Sequence, residues 1–246
     1  MGQIFSHFIS CIEWRAIPYS ILPAAYPEAQ LAGAIGTLCS YSFLERRDGG
    51  MKFDMHRLVH LATRIWVSQN GHEAETRIAV LKHIVKVFPS DDYINREVWR
   101  DYLPHVARIE KDKQFQDTEE MSELYLKVGR CLYVDGRIKE AVLWLQESCK
   151  WRDRGLAQNH PSRLTSQHEL ARAYQANGQV KEAVKLLENG RKWSPFSRNE
   201  SQQHFKAVGS GSYGRDERLK IMIIIEDSVT YPYSDYIRSY HYFARA

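Results

Sequence analysis

Two stretches of this chain line up at a constant offset of 42 residues, and no other feature narrows its possible folds as far. With "LYLKVGRCLYVDGRIKEAVLWLQE" (124–147) set above "SQHELARAYQANGQVKEAVKLLEN" (166–189), Val128 meets Leu170, Gly129 meets Ala171 and Leu132 meets Tyr174. Gly136 then meets Gly178, Glu140-Ala141-Val142 meets Glu182-Ala183-Val184, and Leu145 meets Leu187. So long a run of matches in one register means one supersecondary unit built twice.

The unit is a helical hairpin. In each copy a large apolar residue precedes a tiny one, Val128-Gly129 and Leu170-Ala171, and the second half carries Ala141 or Ala183. Small residues at facing positions let two helices pack closely, while apolar residues at helical spacing supply the buried stripe. Asp135-Gly136 and Asn177-Gly178 lie between the halves, where glycine can take the left-handed conformation that ends a helix. Pro161 suits the first turn of the second copy's opening helix. The spacing predicts antiparallel pairs at 122–134 with 138–151 and at 161–176 with 180–191.

This pattern resembles the tetratricopeptide repeat in its longer form, as in kinesin light chains. The usual repeat has about 34 residues, and the extra length falls in "WRDRGLAQNHPSR" (151–163). The resemblance implies an α-solenoid that binds peptide segments of partner proteins and has no catalytic role. It also implies a groove lined by the first helix of each hairpin. Carried over position by position, that groove holds Glu123, Leu126, Arg130, Tyr133 and Val134 in the first copy, with Lys127 nearby. In the second copy it holds Thr165, His168, Arg172 and Gln175. Arg130 and Arg172 are equivalent, so the expectation is one wall that favours acidic or carboxylate-ended peptides, because guanidinium groups make paired hydrogen bonds with carboxylates. The plainer alternative is two solvated helix arginines.

Solenoids are usually stable with three or more repeats. A third copy would place its apolar-small pair near residue 212, where the chain reads "VGSGSYGRDERL" and nothing matches. Residues 193–246 are therefore expected to form an irregular tail and are a candidate for disorder. Within it "GSGSYG" (209–214) fits a phosphate-binding glycine pattern, but the strand, helix and acidic partners that give the pattern meaning are missing. The run "IMIII" (221–225) is β-prone and apolar, an aggregation hazard if it stays unpaired.

The first 70 residues read differently. "YPEAQLAGAIGTLCSYS" (26–42) has apolar residues at helical spacing, and "SFLERR" and "MKFDM" are strand-like segments joined by the hairpin signal "DGG". Residues 55–66 then set Met55, Leu58, Val59, Ala62, Ile65 and Trp66 on one helical stripe. Helix, hairpin and helix in this order describe a winged-helix domain. The expected organisation is a mainly α chain with a winged-helix-like domain at 1–70 (wing hairpin 42–55), a helical connector at 71–118 and two repeats at 119–192. DNA binding is the rival reading of a winged helix. The candidate recognition helix, 27–41, contains no Lys or Arg, and phosphate contacts dominate DNA affinity, so nucleic acid is disfavoured.

A wing followed by "MHRLVHLATRIW" resembles the end of the NB-ARC module of NOD-like receptors, whose winged helix carries a Met-His-Asp motif. The stretch "AIGTLCSYSFLERRDGGMKFDMHRLVHLATRIWV" is most similar to fungal members with tetratricopeptide sensor arrays, and "FPSDDYINREVWRDYLPHVARI" (88–109) resembles their connecting segment. In that family the motif histidine touches the phosphate of bound ADP; by position it is His56, a vestigial nucleotide-latch position here. This chain has Arg57 where the motif has Asp, and no G-x-x-x-x-G-K-[ST] loop occurs in it. The resemblance therefore implies the regulatory and sensor part of such a receptor without its nucleotide-binding domain. The alternative is a regulatory fragment that associates with an NB-ARC chain in trans. His56 and His60, four residues apart, could also suggest a metal, but Arg57 between them and the lack of a third ligand argue against it.

Composition is consistent with this reading. The net charge of +4 is mild, the four cysteines form no CxxC pair, and the longest aliphatic run is far short of a membrane span. "MGQIFS" fits a myristoylation pattern at Gly2, although one acyl chain anchors only weakly. The expectation is a cytoplasmic, non-enzymatic scaffold in signal transduction. It has no cofactor, no metal and no membrane span, and its partner is a protein or peptide.

Overall fold

The computed structural model describes residues 2–23, 28–70, 73–113 and 115–191. The expectations for 193–246, including the "GSGSYG" and "IMIII" stretches, lie outside the described residues. The chain divides into two compact units between Arg137 and Ile138.

The first unit opens with helix α1 (Gly2–Cys11), strand β1 (Ile17–Pro18), helix α2 (Glu28–Ser40), strands β2 (Leu44–Arg47) and β3 (Lys52–Met55), and helix α3 (Arg57–Asn70). The strands form an antiparallel sheet in the order β1-β3-β2, with Ile17 opposite Phe53 and Leu44 opposite Met55. Period-two alternation turns Phe53 and Met55 of β3 into the core. Asp54, on the other face, ties the strands together. Its carboxylate accepts the Ala16 amide at 2.7 Å and pairs with Arg47 at 2.8 Å.

Three further helices complete this unit: α4 (Glu73–Val87), α5 (Arg96–Glu110) and α6 (Glu119–Val134). α1 packs on α3, α4 and α5, and α4 packs on α6. The core between them includes Phe8, Ile9, Ile12, Leu81, Ile84, Trp99, Val106 and Ile109. Histidines hold the end of α1 and the chain between α1 and α2 by their backbone. The carbonyls of Ile9, Ala16 and Ile21 lie 3.1, 3.3 and 2.9 Å from Nε2 of His60, His105 and His83, which come from α3, α5 and α4. Buried carbonyls need such donors.

The second unit consists of α7 (Ile138–Gly155), α8 (Pro161–Ala176) and α9 (Val180–Arg191) among the described residues. Ala171 of α8 and Ala183 of α9 are both fully buried, and Leu187 joins them. Tyr174, Val180 and Val184 pack around this cluster, as expected when small residues let two helices approach. At the start of α8 the His160 ring accepts the Ser162 amide at 3.2 Å, and Pro161 stands in the first turn.

The two expected turns have the same geometry. Arg137 N–H donates to Leu132 C=O at 2.9 Å and Gly136 N–H to Tyr133 C=O at 3.1 Å. Exactly 42 positions on, Gln179 N–H donates to Tyr174 C=O at 2.8 Å and Gly178 N–H to Gln175 C=O at 3.1 Å. Gly136 and Gly178 have φ of 77° and 81°. These are paired Schellman caps. The helices run slightly past the expected bounds, with α6 starting at Glu119 and α7 reaching Gly155.

Four of the six residues of the expected stripe face outward, whereas Met55 ends β3 and is buried and Val59 is half-buried. Leu58, Ile65 and Trp66 are 67%, 49% and 45% exposed, with Ala62 exposed beside them, while His60 is buried. The helix also starts at Arg57 rather than at residue 55, so His56 is not part of it.

Candidate functional site

On α6, the two expected groove cations, Arg130 and Lys127, hold partners within their own unit. Arg130 Nη2 lies 3.0 Å from Asp91 Oδ1 and donates to Oδ2 at 3.1 Å. One turn earlier, Lys127 Nζ donates to the Val85 carbonyl at 2.7 Å. Leu126 is buried, whereas Glu123, Tyr133 and Val134 are half-buried. At the end of the helix, Asp135 is almost fully covered, its side chain 3% exposed. It accepts from Arg96 Nε and Arg100 Nη2, both at 2.8 Å. Burial opposes ionisation of this carboxyl, yet the two guanidinium groups prevail and hold it below the usual carboxylate range.

On α8, Arg172 Nη1 pairs with Glu169 one turn earlier at 2.9 Å. His168 is half-buried, with Nε2 enclosed and without a hydrogen-bond partner. Burial lowers its pKa and Arg172 adds to the effect, with Glu169 opposing. Gln175 is half-buried, and Thr165 is exposed with its hydroxyl on the Pro161 carbonyl.

The two histidines of "MHRLVH" have separate surroundings. His56 is exposed at the N-terminus of α3, where its Nδ1 accepts the Leu58 amide at 3.3 Å, a capping contact. His60 is buried on the Ile9 carbonyl, and burial lowers its pKa. Among the described residues, no group of three or more His, Cys, Asp or Glu side chains could hold a metal ion. The cysteines are unbridged. Burial pushes the thiol pKa of Cys11 to about 11 and those of Cys131 and Cys149 to about 12, which suppresses thiolate chemistry. No helix among the described residues is long and apolar enough to cross a membrane.

Over 168 residues the chain is 31% identical to a nucleotide-binding leucine-rich repeat (NLR)-like protein of Hyaloscypha variabilis. The chain is similar to an NLR-like protein. The match takes in 67% of this chain and 17% of the relative, so the chain spans about one sixth of the length of the curated relative it matches. Two crystal structures of nearly identical TPR-like repeats from Podosopora anserina align at 25% and 26% identity. They cover 68% and 70% of this chain and 90% of their own, with TM-scores of 0.34 and 0.35. The repeat itself is defined by the helix bounds and the paired caps. No protein-family model matches the chain.

Sequence reasoning missed Asp91, the Arg96–Asp135–Arg100 cluster and the role of His60. The acidic pair "SDD" (90–92) was visible, but nothing in its spacing connects it to a helix that begins 28 residues beyond Asp91.

Proposed function

We propose that this chain is a non-catalytic protein-interaction module that takes acidic peptide segments on α6 and on α8. Each helix would use an arginine at the same place in the repeat. The observation that carries this reading is the recurrence itself: Arg130 and Arg172 each stand six residues before a left-handed glycine that closes the same Schellman cap. Both arginines already bind carboxylates, through pairs that are partly open to water. Such pairs contribute only ~0.2–1 kcal/mol each, so a partner's carboxylate can replace the internal one at small cost.

Fluorescence anisotropy with labelled acidic and basic decapeptides tests this reading. Acidic peptides should bind, with affinity falling as salt rises. Arg130→Gln with Arg172→Gln should weaken binding and flatten its salt dependence. An affinity of the double variant for the acidic peptide equal to that of the wild type would remove the basis of the proposal.

A second reading is favoured by the exposed side of α3. Leu58, Leu61 and Ile65 are exposed there at helical spacing, and apolar groups that share an exposed face suit a covering partner. The order of helices around the three-stranded sheet supports a winged helix over 1–70, which would associate with an NB-ARC nucleotide-binding chain in trans. His56 would then keep only a vestige of a nucleotide latch. Leu58→Asp with Ile65→Asp should abolish co-purification with such a chain, and unchanged recovery would dismiss this reading. DNA binding has less support, since α2 contains no cation.

A further inference from the structure

We infer that Asp91 is a built-in competitor for acidic ligands at Arg130, so that the α6 face stays self-occupied until this carboxylate is displaced. The inference rests on the peptide-binding reading above and adds its regulation. The last turn of α4 and the segment that follows it present two kinds of acceptor to α6. Val85 offers its backbone carbonyl to Lys127 at 2.7 Å, and Asp91 offers its carboxylate to Arg130 at 3.0 Å. A backbone carbonyl and an acidic side chain are what an extended acidic peptide would present to the same two cations. The segment thus behaves as a ligand supplied in cis.

Two observations set Asp91 apart from an ordinary structural anchor. Its side chain is 20% exposed, against 3% for Asp135, so water and a competing carboxylate can reach it. The segment is also held in place without it. Phe88 is buried with its ring edge-on to Tyr102. Ser90 Oγ donates to Asp92 Oδ2 at 2.6 Å, and Asn95 Nδ2 donates to Ser90 Oγ at 2.8 Å. Neutralising Asp91 therefore removes the competing charge and leaves the segment's other anchors intact.

The test is anisotropy of a labelled aspartate decapeptide on the full chain, with a lysine decapeptide as control. Asp91→Asn should bind the acidic peptide about two- to fivefold more tightly, the scale of one partly exposed ion pair. Asp91→Glu, which keeps the charge, should match the wild type, and Asp91→Asn with Arg130→Gln should lose the gain. If Asp91→Asn shows no melting transition, Asp91→Ser replaces it. If Asp91→Asn binds no more tightly than wild type while Arg130→Gln weakens binding, the competitor role is overturned and the peptide reading stands. If no variant, wild type included, prefers the acidic peptide, both are overturned.

Discussion

Gly178→Ala isolates the backbone geometry of the repeat turn. Gly178 has φ of +81°, and a Cβ added there would meet nothing within 4 Å. The substitution therefore introduces no clash, only the cost of placing an L-residue in the left-handed region, about 1–2 kcal/mol. Alanine also narrows the unfolded ensemble, which returns ~0.4–1 kcal/mol. The net expectation is a loss of roughly 0.5–1.5 kcal/mol, or about 1–6 °C in Tm for a chain of this size. Gly136, with φ of +77° and the same open surroundings, should show a loss of equal size. Gly33 is the control: it lies inside α2, also with nothing within 4 Å, so Gly33→Ala should stabilise by ~0.5–1 kcal/mol. Gly178→Asn should recover part of the loss, because Asn tolerates the left-handed region better. Urea titration followed by circular dichroism reads all four variants, with the slope m unchanged. If Gly178→Ala and Gly136→Ala are neutral or stabilising, the paired caps are not formed and the repeat reading fails.

Ala141→Trp and Ala183→Trp each insert a large ring at a fully buried site, and overpacking of this kind costs roughly 1–3 kcal/mol or more. Thermal melts matching wild type would show that these helices do not pack as described. Burial lowers the pKa values of His60, His105 and His168 below the ordinary 6.5. The folded state then prefers them neutral while the unfolded state takes up protons, so their stabilisation is complete above about pH 6.5 and is lost as pH falls below it. The Tm should drop between pH 7.5 and 5.5, and His105→Gln should reduce that drop; a Tm that does not change with pH would refute the assignment.

The helices of the repeats could be read from the chain because period, small-residue pairs and glycine positions all act locally. Residues 161–176 and 180–191 match α8 and α9 at both ends. The hairpin of β2 and β3 could be read for the same reason, from alternation and "DGG". The facing of α3 could not. Helical spacing shows that Leu58, Ala62 and Ile65 share a side, but whether that side is covered depends on where α1 lies, and α1 takes the His60 side instead. The partner of Arg130 was hidden for a related reason. Asp91 is 39 residues away, and only the packing of α4 on α6 brings the intervening segment to it.

Hydrogen exchange measured with and without a saturating aspartate decapeptide tests the central claim most directly, because it reports where a ligand binds without relying on any substitution. A peptide taken by the repeat arginines should slow exchange in 119–134 and 161–176, the spans of α6 and α8, and leave α2 and α3 unchanged. Protection confined to α2 and α3, or none at any peptide concentration, would contradict the account.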